Sequence, residues 1–392
     1  MMFLAGAVQG LAIILWWSVE LLGRYTSLFV PVAWSIPPLW AHAFLMIYGF
    51  FPFFVFGFLM TTYPNWMNGE KIPPRRYVPA FFFLAGGIAL FYGGLFAGKW
   101  LVAGGVLLFL GGWGVGLFAL LRVLFTARHP DKLHPAVTSV ALALGWLGAL
   151  SFLLLLLDGA GVFWVAAIHG GIWLFLVPIL ITVSHRMIPF FSSRVLENYR
   201  IVRPYWALGV MLAGAAGHGL LSMADRFQFL WLVDLPFLML AAYFSYAWGF
   251  LRSFRVRLLA VLHIAFLWLS IALALYVVQS LARFSGGTQI LGLAPLHALG
   301  IGFFASMILG MGARVTLGHS GRDLVADPAT WALFLGFQFA AVARVLGDLP
   351  LPGLPSAHLY LLAAALWLAC FIPWFVKYAP AYLRPRADGR PG

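Results

Sequence analysis

Residues Leu258 to Ala282 read LLAVLHIAFLWLSIALALYVVQSLA, 25 positions without one Asp, Glu, Lys or Arg. An α-helix rises about 1.5 Å per residue, so roughly 20 apolar residues cross the hydrocarbon core of a bilayer. This stretch is long enough to span. Comparable runs recur from one end of the chain to the other. They predict about twelve transmembrane helices, near 2–23, 39–63, 78–97, 100–125, 135–157, 161–185, 204–222, 228–251, 258–282, 292–318, 329–346 and 356–378. The breaks fall at Pro73-Pro74, His134-Pro135, Ser285-Gly286-Gly287 and Leu349-Pro350, residues that punctuate helices.

Composition agrees with this all-α reading. Of 392 residues, 63% are hydrophobic and only 9% charged, against about a quarter charged in soluble domains. The mean hydropathy is +0.97. Membrane β-barrels alternate polar and apolar residues in short segments, a pattern that does not occur here. No long linker interrupts the helices, so one transmembrane domain over 1–392 is expected. The first apolar run lacks a basic leader and a small-residue cleavage site, and reads as a retained helix. Cys370 is the only cysteine, which excludes intramolecular disulfides, thiolate-held iron–sulfur clusters and a two-cysteine copper centre.

The basic residues are unevenly distributed. After even-numbered helices stand Lys71, Arg75, Arg76, Arg122, Arg128, Lys132, Arg186, Arg194, Arg200, Arg203, Arg252, Arg255, Arg257, Arg314, Arg322, Lys377, Arg384, Arg386 and Arg390, 19 in all. The opposite side has 5: Arg24, Lys99, Arg226, Arg283 and Arg344. Basic loops stay in the cytoplasm, so both termini are expected there. The net charge of +13 then reflects orientation and affinity for anionic membrane lipid. Nucleic-acid binding would need a basic soluble module, and the chain has none.

Ten histidines in so apolar a chain call for explanation, because ionisable groups inside a membrane are costly and often functional. His42, His169 and His297 are expected in the first turns of helices two, six and ten, near the outer face. His218 and His358 lie toward the same face at helix ends. His185, His263 and His319 fall on the cytoplasmic side, with His129 and His134 in a loop. His129, His134 and His358 read as interfacial. His297 and His319 are about 33 Å apart along a helix, and His169 and His185 about 24 Å. Neither pair can share one metal, so two layers are expected. His42 and Met46 form an i,i+4 pair whose imidazole and thioether suit haem iron or Cu(I). The plainer reading of His42 is a hydrogen bond to a neighbouring helix, and of His319 a loop cap. Acids near helices are confined to Glu20, Asp158, Asp234 and Asp348, none at mid-membrane, which counts against an ion-coupled transporter. The pairs Gly104/Gly105, Gly111/Gly112 and Gly310/Gly312 read as close-packing positions.

Three motifs sharpen this picture. Trp40-Ala-His-Ala-Phe-Leu-Met-Ile-Tyr-Gly-Phe50 leads to Thr62-Tyr-Pro-Asn-Trp66. His185-Arg-Met-Ile-Pro-Phe-Phe191 is expected to end helix six. Leu296-His-Ala-Leu-Gly300 opens helix ten, which closes with Ala313-Arg-Val-Thr-Leu-Gly-His-Ser-Gly-Arg322. In this order, over the whole chain, they resemble the NnrS family of bacterial inner-membrane haem- and copper-containing proteins linked to the nitric oxide response. The resemblance implies roles for His42, His297 and His319, with Arg314 and Arg322 beside the last, and marks Arg186 and Pro189 as motif positions. Phe44 and Leu45 stand where the family's helix-two pattern carries a second His and a Glu; His185 or His169 is the candidate replacement ligand. A second, architectural likeness is to haem–copper oxidases, whose metal-binding histidines also lie on helices two, six and ten.

These resemblances imply a haem b protein of the inner membrane that binds or turns over nitric oxide, with His42 and His297 as candidate axial ligands. Copper, or a second haem, is the candidate for a cytoplasmic layer of His185, His319 and His263. An enzyme of this kind would be an oxidoreductase acting on nitric oxide, drawing electrons from quinol or another donor. The alternatives are a non-redox transporter or channel, in which Arg186, Arg314 and Arg322 attract an anion, and a haem or copper assembly factor.

Overall fold

The computed structural model of the protein describes residues 1–349, Gly353 and 355–389. Pro350, in one of the expected breaks, and Arg390, among the basic residues above, lie outside the described residues. Among these residues the regular structure is helical throughout. Eleven helices are long and apolar enough to cross a membrane: α1 Met2–Tyr25, α2 Pro38–Met67, α3 Pro74–Ala97, α4 Lys99–Thr126, α5 Leu133–Asp158, α6 Gly161–Val195, α7 Tyr205–Met223, α9 Arg257–Phe284, α10 Ala294–His319, α11 Pro328–Gly347 and α12 Ser356–Leu383. Between α7 and α9 lies α8, Trp231–Ala247, apolar but only 17 residues long. The protein is thus a multi-pass integral membrane protein.

Three helices outrun their expected ends by four residues or more, α12 among them by reaching Leu383, and one falls short. α6 continues to Val195, so His185-Arg-Met-Ile-Pro-Phe-Phe191 lies inside the helix instead of ending it. Pro189 removes one backbone donor there, which membrane helices tolerate when neighbours re-satisfy the freed carbonyl. α2 likewise passes Pro64 and stops at Met67. α8 is shorter than 228–251: a 3₁₀ turn at Phe227–Phe229 precedes it, and a left-handed Gly249 (φ +88°) comes after it.

Contacts divide the helices into two units, Met1–Gln9 with Pro31–Thr182, and Gly10–Val30 with Val183–Gly392. The first has an aromatic core. Phe44 stacks on Phe91 with ring centroids 4.9 Å apart and meets Phe152 at 4.6 Å, while Trp113 lies edge-on to Phe175 at 5.0 Å. α3 and α4 pack backbone to backbone; a Cβ at Gly87 would lie 2.7 Å from the Gly105 carbonyl, and one at Gly105 equally close to that of Gly87. Gly105 and Gly112 therefore do the packing expected of the glycine pairs, whereas Gly104 and Gly111 face open space. In the second unit, α9 packs against α8, α10 and α11, and α11 lies along α12.

Candidate functional site

Three of the helices depart from α-geometry, each next to a histidine. α2 is π-helical over Leu45–Phe50, three residues after His42. α6 is π-helical over Gly170–Leu176, directly after His169, and α10 over Ala298–Ala305, directly after His297. A π turn takes an extra residue into the ladder, rotates the helix before it relative to the helix after it, and recurs at functional sites. The spacing repeats as well. His42 and His169 are 127 residues apart, His169 and His297 128. Arg186 and Arg314 each follow their helix's histidine by 17 residues. The second helix of each successive group of four thus carries the same device. His169 lies more than two turns into α6, deeper than the first turn expected of it.

In the first unit, the π segments of α2 and α6 are in contact. Tyr48, inside the first of them, donates its hydroxyl to the Ala167 carbonyl at 2.6 Å. Room for the phenol comes from Gly148 and Gly171; a Cβ at Gly171 would stand 2.5 Å from the Tyr48 oxygen. Trp40 and Trp164 stack 6.1 Å apart, near His42 and His169 respectively. From Ala41 to Phe56 only His42, Ala43 and Met46 are half-buried, and the rest are buried. His42 and Met46 therefore share the one less-covered face of this segment. Phe44 points into the aromatic core, and Leu45 is fully buried.

In the second unit, His297 has the most complete surroundings. Its Nδ1 lies 3.1 Å from Asp348 Oδ2 and 3.0 Å from the Leu293 carbonyl. Arg344 contacts the same carboxylate at 2.6 Å, and Tyr360 donates to its other oxygen at 2.8 Å. The Arg344 guanidinium also lies 4.1 Å above the Tyr360 ring. Burial opposes ionisation of Asp348, yet the hydrogen bond from His297 and the charge of Arg344 hold its carboxyl down at about 2. An ionised carboxylate and a carbonyl can only accept, so Nδ1 must carry the proton. Nε2 forms no hydrogen bond among the described residues. His297 is half-buried together with Gly300, and a Cβ at Gly300 would meet nothing within 4 Å. An imidazole whose Nδ1 is engaged by acceptors offers Nε2 as the nitrogen for haem iron.

The histidines expected on the cytoplasmic side are arranged differently. His185 Nε2 lies 3.3 Å from the Pro204 carbonyl, with its ring among Tyr205, Phe244 and Trp248. His263 Nε2 meets the Ser192 hydroxyl at 3.2 Å. His319 is the exposed last residue of α10, and its carbonyl accepts from Arg386. Among the described residues no three His, Cys, Asp or Glu side chains come together as a metal site. A copper centre built on three such donors does not fit here. Arg314 is buried and lies 3.9 Å over the Phe191 ring, bringing two of the sequence motifs into contact. Arg186 is half-buried and Arg322 exposed. His134 is no loop residue; it is the second residue of α5 and fully buried beside Trp66.

Sequence reading gives Tyr48, Arg344 and Tyr360 no part in a site, and notes Asp348 only as an acid near a helix. The near-equal histidine spacing is its one available signal for the repeated device. No curated protein matches the chain. The family model for the NnrS protein matches residues 1–386, essentially its full length, and the chain belongs to the NnrS family.

Proposed function

We propose that this protein is a haem b protein of the bacterial inner membrane that handles nitric oxide, with His297 as a haem ligand. The observation that carries the proposal is the approach of two acceptors, Asp348 and the Leu293 carbonyl, to His297 Nδ1, which leaves Nε2 as the nitrogen for a metal. Family membership adds the link to the nitric oxide response. On this reading α8 is the twelfth span, the basic loops lie in the cytoplasm, and His297 is near the outer face.

When bound, a haem supplies an iron that can take up nitric oxide or exchange an electron with a donor such as quinol. The chain's own residues do the rest. Asp348, Arg344 and Tyr360 orient the His297 ring. His42, on the less-covered face of α2 with Met46, is a candidate ligand of its own within the first unit. Nitric oxide is small and neutral and reaches an apolar bundle through lipid, so no polar entry path is required.

The test is a reduced-minus-oxidised optical spectrum, with pyridine haemochrome, on purified wild type, His42→Ala and His297→Ala. Wild type should show b-haem bands that shift on adding nitric oxide, and His297→Ala should lose them. A wild type without haem bands overturns the proposal. Retention of an unchanged spectrum in His297→Ala removes His297 from it.

A further inference from the structure

The residues around His297 do more than surround it. Asp348 immediately follows α11, and Tyr360 is in the second turn of α12, so three helix ends meet at one imidazole. Arg344 belongs to α11, one turn before Asp348, and forms an i,i+4 ion pair with it. Each Asp348 oxygen has its own partners: Oδ2 takes Arg344 and His297, and Oδ1 takes Tyr360. The carboxylate is held from two sides and cannot turn away from the ring. Tyr360 is fixed in turn by Arg344 on its face and by the ring of Tyr25, 6.0 Å away.

An outer carboxylate that holds a ligating histidine fixes its tautomer and makes it a stronger donor. We infer that Asp348, clamped by Arg344 and Tyr360, is the positioning residue of this site: it keeps His297 as the Nδ1–H tautomer and tunes the iron that Nε2 would bind. The inference rests on the reading of His297 as a haem ligand, but its first consequence concerns the imidazole alone. The two acceptors at Nδ1 differ in strength. Leu293 offers a neutral carbonyl from the same helix, and Asp348 a charged oxygen, whose hydrogen bonds are roughly twice as strong. Without Asp348, the weaker carbonyl alone opposes the Nε2–H tautomer, in which Nε2 has no lone pair to give.

The experiment uses full-length protein with ¹⁵N-labelled histidine, in wild type, Asp348→Leu, Asp348→Asn and Asp348→Glu. The His297 ring signals are assigned by their absence from His297→Ala. Wild type free of haem should show one Nδ1–H tautomer; Asp348→Leu should show a mixture, and Asp348→Glu should restore the single form. With haem added, Asp348→Leu should bind about 10- to 100-fold more weakly. Asp348→Asn keeps an acceptor but loses the charge, so it should retain haem at a higher midpoint potential. A single unchanged tautomer in Asp348→Leu overturns the inference, as does an unchanged midpoint potential in Asp348→Asn. If wild type binds no haem yet Asp348→Leu scrambles the tautomer, the positioning role is supported and the haem reading falls.

Discussion

Two histidine–carboxylate pairs in the second unit are built from the same residue types and have opposite surroundings. His218 Nδ1 lies 2.8 Å from Asp234 Oδ1, and the side chains are 2% and 0% exposed. The edge of the Tyr276 ring closes on the His218 ring at 4.6 Å. His297 and Asp348 are 17% and 6% exposed and are joined by Arg344 and Tyr360. The closed pair ties α7 to α8 through a bond enclosed in apolar surroundings. The open pair is partly exposed, and its carboxylate is shared among several partners. The same two residue types therefore serve a structural tie in one place and, on the proposed reading, a ligand position in the other, and the difference lies in how fully each pair is enclosed.

The largest effect should come from cutting the closed pair. Asp234→Ala leaves a buried imidazole without its carboxylate, and breaking a buried pair in this way costs about 3–5 kcal/mol. Thermal unfolding in detergent measures it; a loss below about 1 kcal/mol would mean that His218 finds another partner and the pair is not closed. Asp348→Asn should cost less, about 1.5–3 kcal/mol, the range for hydrogen bonds to a charged group. It should also remove an acid dependence. The Asp348 carboxyl is held at about 2, below the roughly 3.9 of an unfolded Asp. Its contribution is therefore complete above about pH 4 and fades as the pH falls toward 2. Unfolding midpoints between pH 5 and 2, for wild type and variant, should converge at the acid end.

Replacing both members of the closed pair at once, His218→Leu with Asp234→Leu, should restore much of the stability lost in the single variant. A buried pair exchanged for apolar residues of similar volume is often neutral. If the double variant is as unstable as Asp234→Ala, the pair does more than tie helices. The smallest effect is expected at Asp327 and Lys377 on the surface. The hydrogen bond from Lys377 and the capping bond from the Thr330 N–H also hold Asp327 at about 2, so it titrates over the same acid window. Its exposure limits Lys377→Met to under about 1 kcal/mol. Salt distinguishes the two carboxylates: at about 1 M the screening length falls to roughly 3 Å, which should remove the Lys377 effect and spare that of Asp348.

Much of the fold is legible in the sequence. The helix positions come from apolar run length, and α2 and α6 run past their expected ends through Pro64 and Pro189, which a membrane bundle accommodates. The pairing of α3 and α4 through Gly105 is anticipated in kind, but not which glycine of each pair faces a neighbour. The site is legible only as a set of histidines. His297 stands out among them, but its partner Asp348 is 51 residues away in sequence, and Tyr48 is 119 residues from the carbonyl it reaches. No local pattern predicts such bonds. The π segments are equally hidden, since their residues are as apolar as those of any membrane helix.

By itself, the sequence determined that the chain lives in a membrane, where its helices run, and which family it resembles. It could do so because a bilayer has no water to satisfy exposed backbone, so every span must be written as an uninterrupted apolar run. Which histidine is backed by a carboxylate, which is sealed into a structural tie, and where the helices widen into π turns were decided only by the tertiary structure. Those properties depend on side chains that meet across helices from distant parts of the chain.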